Sequence, residues 1–210
     1  MKMFNDDTIE LNAQSSLFIG SRRIVYQHPD IEGLLLKVHK PQNPDWKKRQ
    51  QFLKTPKTIR YGGFLSWYEE YSELLSIISH SNTLPDFLPK YYGFCNTDLG
   101  PAMVEEKITD TNKNVAPTVR QLIDSGECDE RLIGLVENLF ESIKDSQCTA
   151  LDLHAGNVVV KGDFEKLIIV DGLGDKVLFK IRKYSKLLKT RTYNRRKSKI
   201  LRQIHESMAT

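Results

Sequence analysis

The clearest chemistry in this chain lies in three residues. Asp152 is followed five residues later by Asn157, and fourteen residues beyond that by Asp171. They sit in the runs Leu151-Asp152-Leu153-His154-Ala155-Gly156-Asn157-Val158-Val159-Val160 and Leu167-Ile168-Ile169-Val170-Asp171-Gly172. Two carboxylates and an amide oxygen are hard oxygen donors of the kind magnesium takes, with waters and substrate phosphates as its other ligands. The layout is that of a phosphoryl-transfer site. One aspartate accepts the proton of an attacking hydroxyl, while the asparagine and the second aspartate hold the metal that neutralises the phosphates. Each part has a plainer reading, since Asp-x4-Asn pairs are frequent by chance and Asp–Gly after an apolar run is a hairpin signal. What raises the set above its parts is the apolar packing around Asp152, the strand after Asn157, and Asp171 directly after the next strand.

Such a site also needs cations and amides for the nucleotide phosphates. Lys37 lies inside the apolar run Leu34-Leu35-Leu36-Lys37-Val38, where burial is costly unless the ammonium finds a partner. In ATP-dependent transfer a strand lysine of this kind reaches the α- and β-phosphates and pairs with a helix glutamate. The plain alternative is a lysine on the solvent face of a half-buried strand. Glu69, Glu70 and Glu73 are the candidate partners; Glu70, one turn before the apolar Leu74, is taken first and Glu69 held in reserve. The turn Ile19-Gly20-Ser21-Arg22-Arg23 sits where backbone amides of Gly20 and Ser21, with Arg22 or Arg23, could supply donors to a polyphosphate. It has a single glycine, and a bare β-turn explains Gly20 equally well.

The elements that must position these residues can be read from periodicity. Residues 1–16 are polar and read as a poorly ordered or short edge element. Two apolar runs from Leu17 to Val38 flank His28-Pro29-Asp30 and predict an antiparallel hairpin. The stretch from Trp46 to Lys57 reads as a surface helix or an insertion. Phe64, Leu65, Tyr68, Tyr71, Leu74, Leu75 and Ile78 recur at helical steps. A second hairpin turns at Asp98-Leu99-Gly100-Pro101. Val115 to Leu122 reads as a linker entering a short helix, and Glu130 to Ile143 carries an apolar stripe of Leu132, Ile133, Val136, Leu139, Phe140 and Ile143. Strands Val158–Lys161 and Leu167–Val170 and a helical basic tail complete the α+β chain.

Composition narrows the function classes. The chain has 210 residues, 40% hydrophobic and 28% charged, enough to build a core without disulfides or metals. No apolar run approaches the ~20 residues needed to cross a bilayer, and the start, with its Asp6-Asp7 pair, lacks the apolar segment of a secretory signal. A cytoplasmic location follows as the expectation. Cys95, Cys128 and Cys148 are scattered and odd in number, which argues against a disulfide framework or zinc site. Residues 1–175 carry 19 Lys and Arg against 26 Asp and Glu; residues 176–210 carry 12 against 1. This basic tail, 176–203, is expected to pack one face through Val177, Ile181, Tyr184 and Leu188. Its charge is either a solvated helix face or a contact with an anionic membrane surface, peripheral to the inner membrane, in preference to nucleic acid.

The order Gly20, Lys37, Glu70, Asp152, Asn157, Asp171 resembles the protein-kinase-like superfamily, and Asp-Leu-His-x-Gly-Asn is most similar to its aminoglycoside and choline kinase-like branch. Over roughly residues 15–205, with Tyr26-x-His28-Pro29 before the lysine strand, the chain resembles the YrbL-like bacterial family associated with the PhoP regulatory network. The resemblance implies a two-lobed kinase-like fold with a truncated C-terminal lobe, divided at about residues 108/109. It implies ATP and magnesium as cofactors, with Asp152 and Lys37 catalytic and Asn157 and Asp171 on the metal. Gly20, Ser21, Lys37, Glu70 and the backbone around Glu105-Glu106-Lys107-Ile108 would meet the nucleotide. The acceptor would be a hydroxyl on a small molecule or glycan; the competing reading is a regulatory pseudokinase scaffold that binds nucleotide without turnover. Two departures bear on this choice. Thr149-Ala150-Leu151 stands where protein kinases carry a histidine and arginine before the aspartate, and no Ala-Pro-Glu follows Asp171.

Overall fold

The computed structural model describes residues 8–20, 22–40, 56–146, 148–173 and 186–209. Its contacts divide the chain into two compact units, Met1–Leu65 with Lys90–Lys107, and Ser66–Pro89 with Ile108–Thr210. The predicted division at 108/109 kept the Glu70 helix with the first hundred residues, whereas the contacts group that helix with the second unit.

The first unit is an antiparallel sheet. Its strands are β1 (Phe18–Ile19), β2 (Arg23–Gln27), β3 (Leu34–His39), β4 (Tyr91–Thr97) and β5 (Gly100–Glu106), in the order β1-β2-β3-β5-β4. Both predicted hairpins form, but the first apolar run is itself folded at Gly20, so that Ile19 pairs with Ile24. Side chains alternate across a strand, and β3 uses both faces. Leu34, Leu36 and Val38 join Leu11, Tyr26, Ala102 and Val104 in one buried cluster. Leu35 and Lys37 point the other way, with Lys37 opposite Met103 and Leu35 opposite Glu105.

Of the two readings for the N-terminal segment, residues 9–12 take the short edge element. Leu11 is fully buried, and Ile9 bridges Thr97. Asp98, in the β4–β5 turn, accepts from the amides of Leu11 at 2.8 Å and Asn12 at 3.0 Å. Partial desolvation pushes its carboxyl up, but these and the turn's own amides outweigh it and hold the group below the usual range. A helix α1 (Pro56–Tyr61) and one 3₁₀ turn (Gly62–Phe64) close the first stretch. Most of the Trp46 to Lys57 segment lies outside the described residues.

The second unit holds α2 (Leu65–Ser81), α3 (Val119–Ser125), α4 (Glu130–Asp145), the hairpin β6 (Val158–Lys161) and β7 (Lys166–Ile169), and α5 (Lys186–Met208). Thr118 starts α3 with a reciprocal capping box to Gln121, and Asp129 caps α4 through Leu132 N. The α4 stripe is buried at Leu132, Val136, Leu139, Phe140 and Ile143. On α5 the buried positions are Thr192, Tyr193, Ile200 and Ile204, and the Tyr193 ring meets Phe140 edge-on at 6.4 Å. Val177, Ile181 and Tyr184 lie outside the described residues, and Leu188 is 40% exposed.

The stripe predicted on α2 is rotated. Trp67, Glu70, Glu73, Leu74 and Ile77 are the buried positions, while Leu75 is 65% exposed. Counting apolar residues alone chose the wrong face, because the buried face carries two carboxylates. Among the described residues no helix is long and apolar enough to cross a membrane.

Candidate functional site

Every residue of the Asp152–Asn157 motif has a local reason for its type. Leu153 and Ala155 are buried. His154 Nδ1 accepts from Gly156 N at 3.1 Å and so caps the 3₁₀ turn Ala155–Asn157. A Cβ on Gly156 would stand 3.2 Å from that imidazole ring, so only glycine leaves the cap room. Asn157 N donates to His154 O at 2.9 Å, and Asn157 O accepts from Val170 N at 2.9 Å. Its side-chain Nδ2 donates to Asp152 O at 3.0 Å. With the amide nitrogen engaged, Oδ1 is the atom Asn157 offers a cation.

Asp171 enters through the same knot. It follows β7, and its Oδ1 accepts from Gly172 N at 2.6 Å. Gly172 has φ +95°, and a Cβ there would lie 2.8 Å from Asp152 O and 3.0 Å from Asn157 Nδ2. Asp152, Asn157 and the Asp171–Gly172 step therefore lie together within the second unit, with both aspartates half-exposed and Asn157 buried. Among the described residues no group of three or more His, Cys, Asp or Glu side chains could hold a metal. Two carboxylates and one amide suit magnesium only with phosphate and water as further ligands.

Two side chains that the sequence did not single out for this purpose hold the loop before Asp152. Glu73, 1% exposed on α2, accepts from Thr149 N at 2.7 Å. The Tyr193 hydroxyl on α5 donates to Cys148 O and accepts from Ala150 N, each at 3.2 Å. They secure the backbone of residues 148–150, just before Asp152. Burial pushes the Tyr193 phenol well above its usual range, against the Ala150 amide, so it stays neutral and can both donate and accept. Burial, reinforced by the Glu73 charge, likewise pushes the Cys148 thiol up to about 12, which leaves it unreactive. Glu73 was weighed only as a lysine partner; the signal for its role was its position three residues after Glu70 and four before Ile77.

On α5 the sequence showed charge, and the structure separates its cations. Arg196 Nη2 lies 3.8 Å from Asp152 Oδ1. Lys197 reaches Glu137 and Glu141 on α4 at 3.6 and 3.7 Å. Arg191, Arg195, Lys199 and Arg202 are exposed and recur at helical spacing along one side.

In the first unit Lys37 Nζ lies 2.6 Å from Glu105 Oε1, with side chains 7% and 1% exposed. Glu105 was expected only as backbone near a base, and it answers the burial cost of Lys37 from the neighbouring strand. Glu70 is 2% exposed and belongs to the second unit. Gly20 departs from the expected phosphate donor: its N–H donates to Arg23 O at 2.8 Å and closes the β1–β2 turn. Ser21 lies outside the described residues. The N–H groups of Glu106 and Lys107 are likewise committed, to Lys90 O at 2.8 Å and Gly33 O at 2.7 Å.

Residues 9–205 match the family described as PhoP regulatory network protein YrbL. The chain belongs to that family. No curated protein matches it. The YrbL family match spans both units and takes in Gly20, Lys37, Glu70, Glu73, Asp152, Asn157, Asp171 and Arg196. It therefore covers the whole candidate site together with the helix that supplies Tyr193.

Proposed function

We propose that this YrbL-family chain is an ATP- and magnesium-dependent phosphotransferase acting on a hydroxyl of a small molecule or glycan. The observation that carries this reading is the meeting of Asp152, Asn157 and Asp171–Gly172, with Asn157 Nδ2 3.0 Å from Asp152 O. Asp152 takes the acceptor's proton as the hydroxyl oxygen bonds to the γ-phosphorus, the bond to the β–γ bridging oxygen breaks, and ADP leaves. Asn157 Oδ1 and the Asp171 carboxylate would hold magnesium, which when bound neutralises phosphate charge. In the first unit, Lys37 is an ammonium of the kind nucleotide phosphates attract, with Glu105 offsetting its burial. The loop clamps at Thr149 and Ala150 hold Asp152 in place at the moment of attack.

Thermal unfolding with ATP, with and without magnesium, tests the reading, because a ligand bound only by the folded state raises stability by mass action. The expected result is a magnesium-dependent shift that Asp171→Ala loses, together with an Asp152→Ala variant that binds but does not transfer. No shift at millimolar nucleotide sinks the enzyme reading and leaves the scaffold. The exposed Arg191, Arg195, Lys199 and Arg202 support a contact with an anionic membrane surface. Equal affinity for neutral and anionic vesicles rules that contact out.

A further inference from the structure

We propose that Arg196 recognises a phosphate or carboxylate group on the acceptor and holds it beside Asp152. The word acceptor rests on the phosphotransfer reading; the anion site itself does not. Arg196 is three residues after Tyr193, whose hydroxyl bridges Cys148 O and Ala150 N, and four before the buried Ile200. The register of α5 against the Asp152 loop is thereby set by a polar bridge and an apolar anchor on either side of Arg196.

The guanidinium has donor capacity to spare. It offers five N–H donors in a fixed fork, yet its contact with Asp152 is a single approach of 3.8 Å, beyond hydrogen-bond length. Among the described residues its buried Nε makes no hydrogen bond. An ion pair this long between side chains 26% and 33% exposed adds little to stability. A carboxylate or phosphate that offers two oxygens to parallel N–H bonds would satisfy the fork. An acceptor carrying such an anion would present its hydroxyl to Asp152 while its charge rests on Arg196, so the substrate class is a phosphorylated or carboxylated polyol or sugar.

The test is binding of inorganic phosphate, and of glucose 6-phosphate against glucose, read by thermal shift and calorimetry at saturating ADP and magnesium. Wild type is expected to bind both phosphates and to show no response to glucose. Arg196→Gln should weaken phosphate binding roughly tenfold to a hundredfold; Arg196→Lys should keep a part of it, and Lys199→Gln all of it. Unchanged phosphate binding in Arg196→Gln, with its unfolding midpoint near wild type, overturns the proposal. So does an Arg196→Gln variant that loses its response to ATP but not to ADP, which assigns the cation to the γ-phosphate. A wild type that binds phosphate through Arg196 but shows no Asp171-dependent shift with ATP upholds the anion site and rejects the phosphotransfer reading.

Discussion

Lys37 and Asp152 are both charged groups held in place, but by opposite means. In the sheet, Lys37 is buried and forms a short ion pair with a buried Glu105. In the second unit, Asp152 stays half-exposed, and its backbone is held instead, by Glu73 at Thr149, Tyr193 at Ala150 and Asn157 at its own carbonyl. A buried charge requires a counter-charge, because desolvation is costly and removing one partner strands the other. A group that must exchange a proton needs a fixed position and an accessible carboxylate. The difference teaches that rigidity in the sheet is electrostatic, whereas at the loop it comes from hydrogen bonds to the main chain.

Removing Lys37 should have the largest effect. Lys37→Met is expected to cost about 3–5 kcal/mol in urea unfolding, because the buried Glu105 carboxylate loses the ammonium 2.6 Å from it. Adding Glu105→Leu should recover most of that loss. A double variant as unstable as the single would break the electrostatic half of the comparison. Tyr193→Phe comes next, at about 1–3 kcal/mol, since the buried Ala150 N–H loses its acceptor. Glu73→Gln should be milder than Glu73→Ala, because a glutamine oxygen still accepts from Thr149. Faster hydrogen exchange at residues 148–152 in Tyr193→Phe and Glu73→Ala is the confirming readout, and unchanged exchange would refute the clamp.

Gly172→Ala sharpens the loop half. Its φ of +95° is strained for alanine, and the added carbon would meet Asp152 O at 2.8 Å. A loss of about 1–3 kcal/mol is expected, with the magnesium-dependent nucleotide shift reduced beyond what stability explains. The smallest effect is a pH dependence at His28, in the β2–β3 turn. Its Nδ1 accepts from the amides of Asp30 and Ile31, each at 3.1 Å. Burial lowers its pKa from the ordinary 6.5, with Asp30 opposing. As pH falls below 6.5 the unfolded chain binds the proton first, so stability is complete above that value and declines below it. His28→Asn should flatten the decline; an unaltered slope would put the titration elsewhere.

The two hairpins, the α4 stripe and the β6–β7 pair were legible in the sequence because alternation and helical spacing report burial directly. The face of α2 was not. Glu73 is buried where it accepts from Thr149 N, Glu70 is buried on the same helix, and no hydrophobic count sees either. The burial of Leu11 was not legible for a related reason, since Ile9 and Leu11 between polar neighbours are too few to establish a period.

The sequence alone named the residues that meet at the candidate site: Asp152, Asn157 and Asp171 are close in the chain, so one loop and one hairpin suffice to spell them out. Only the tertiary structure decided what holds them. Glu73 lies 76 residues from Thr149 and Tyr193 43 from Ala150, and Arg196 comes from the same late helix. Such partners are chosen by packing and by the need to satisfy buried amides, and neither leaves a local pattern in the chain.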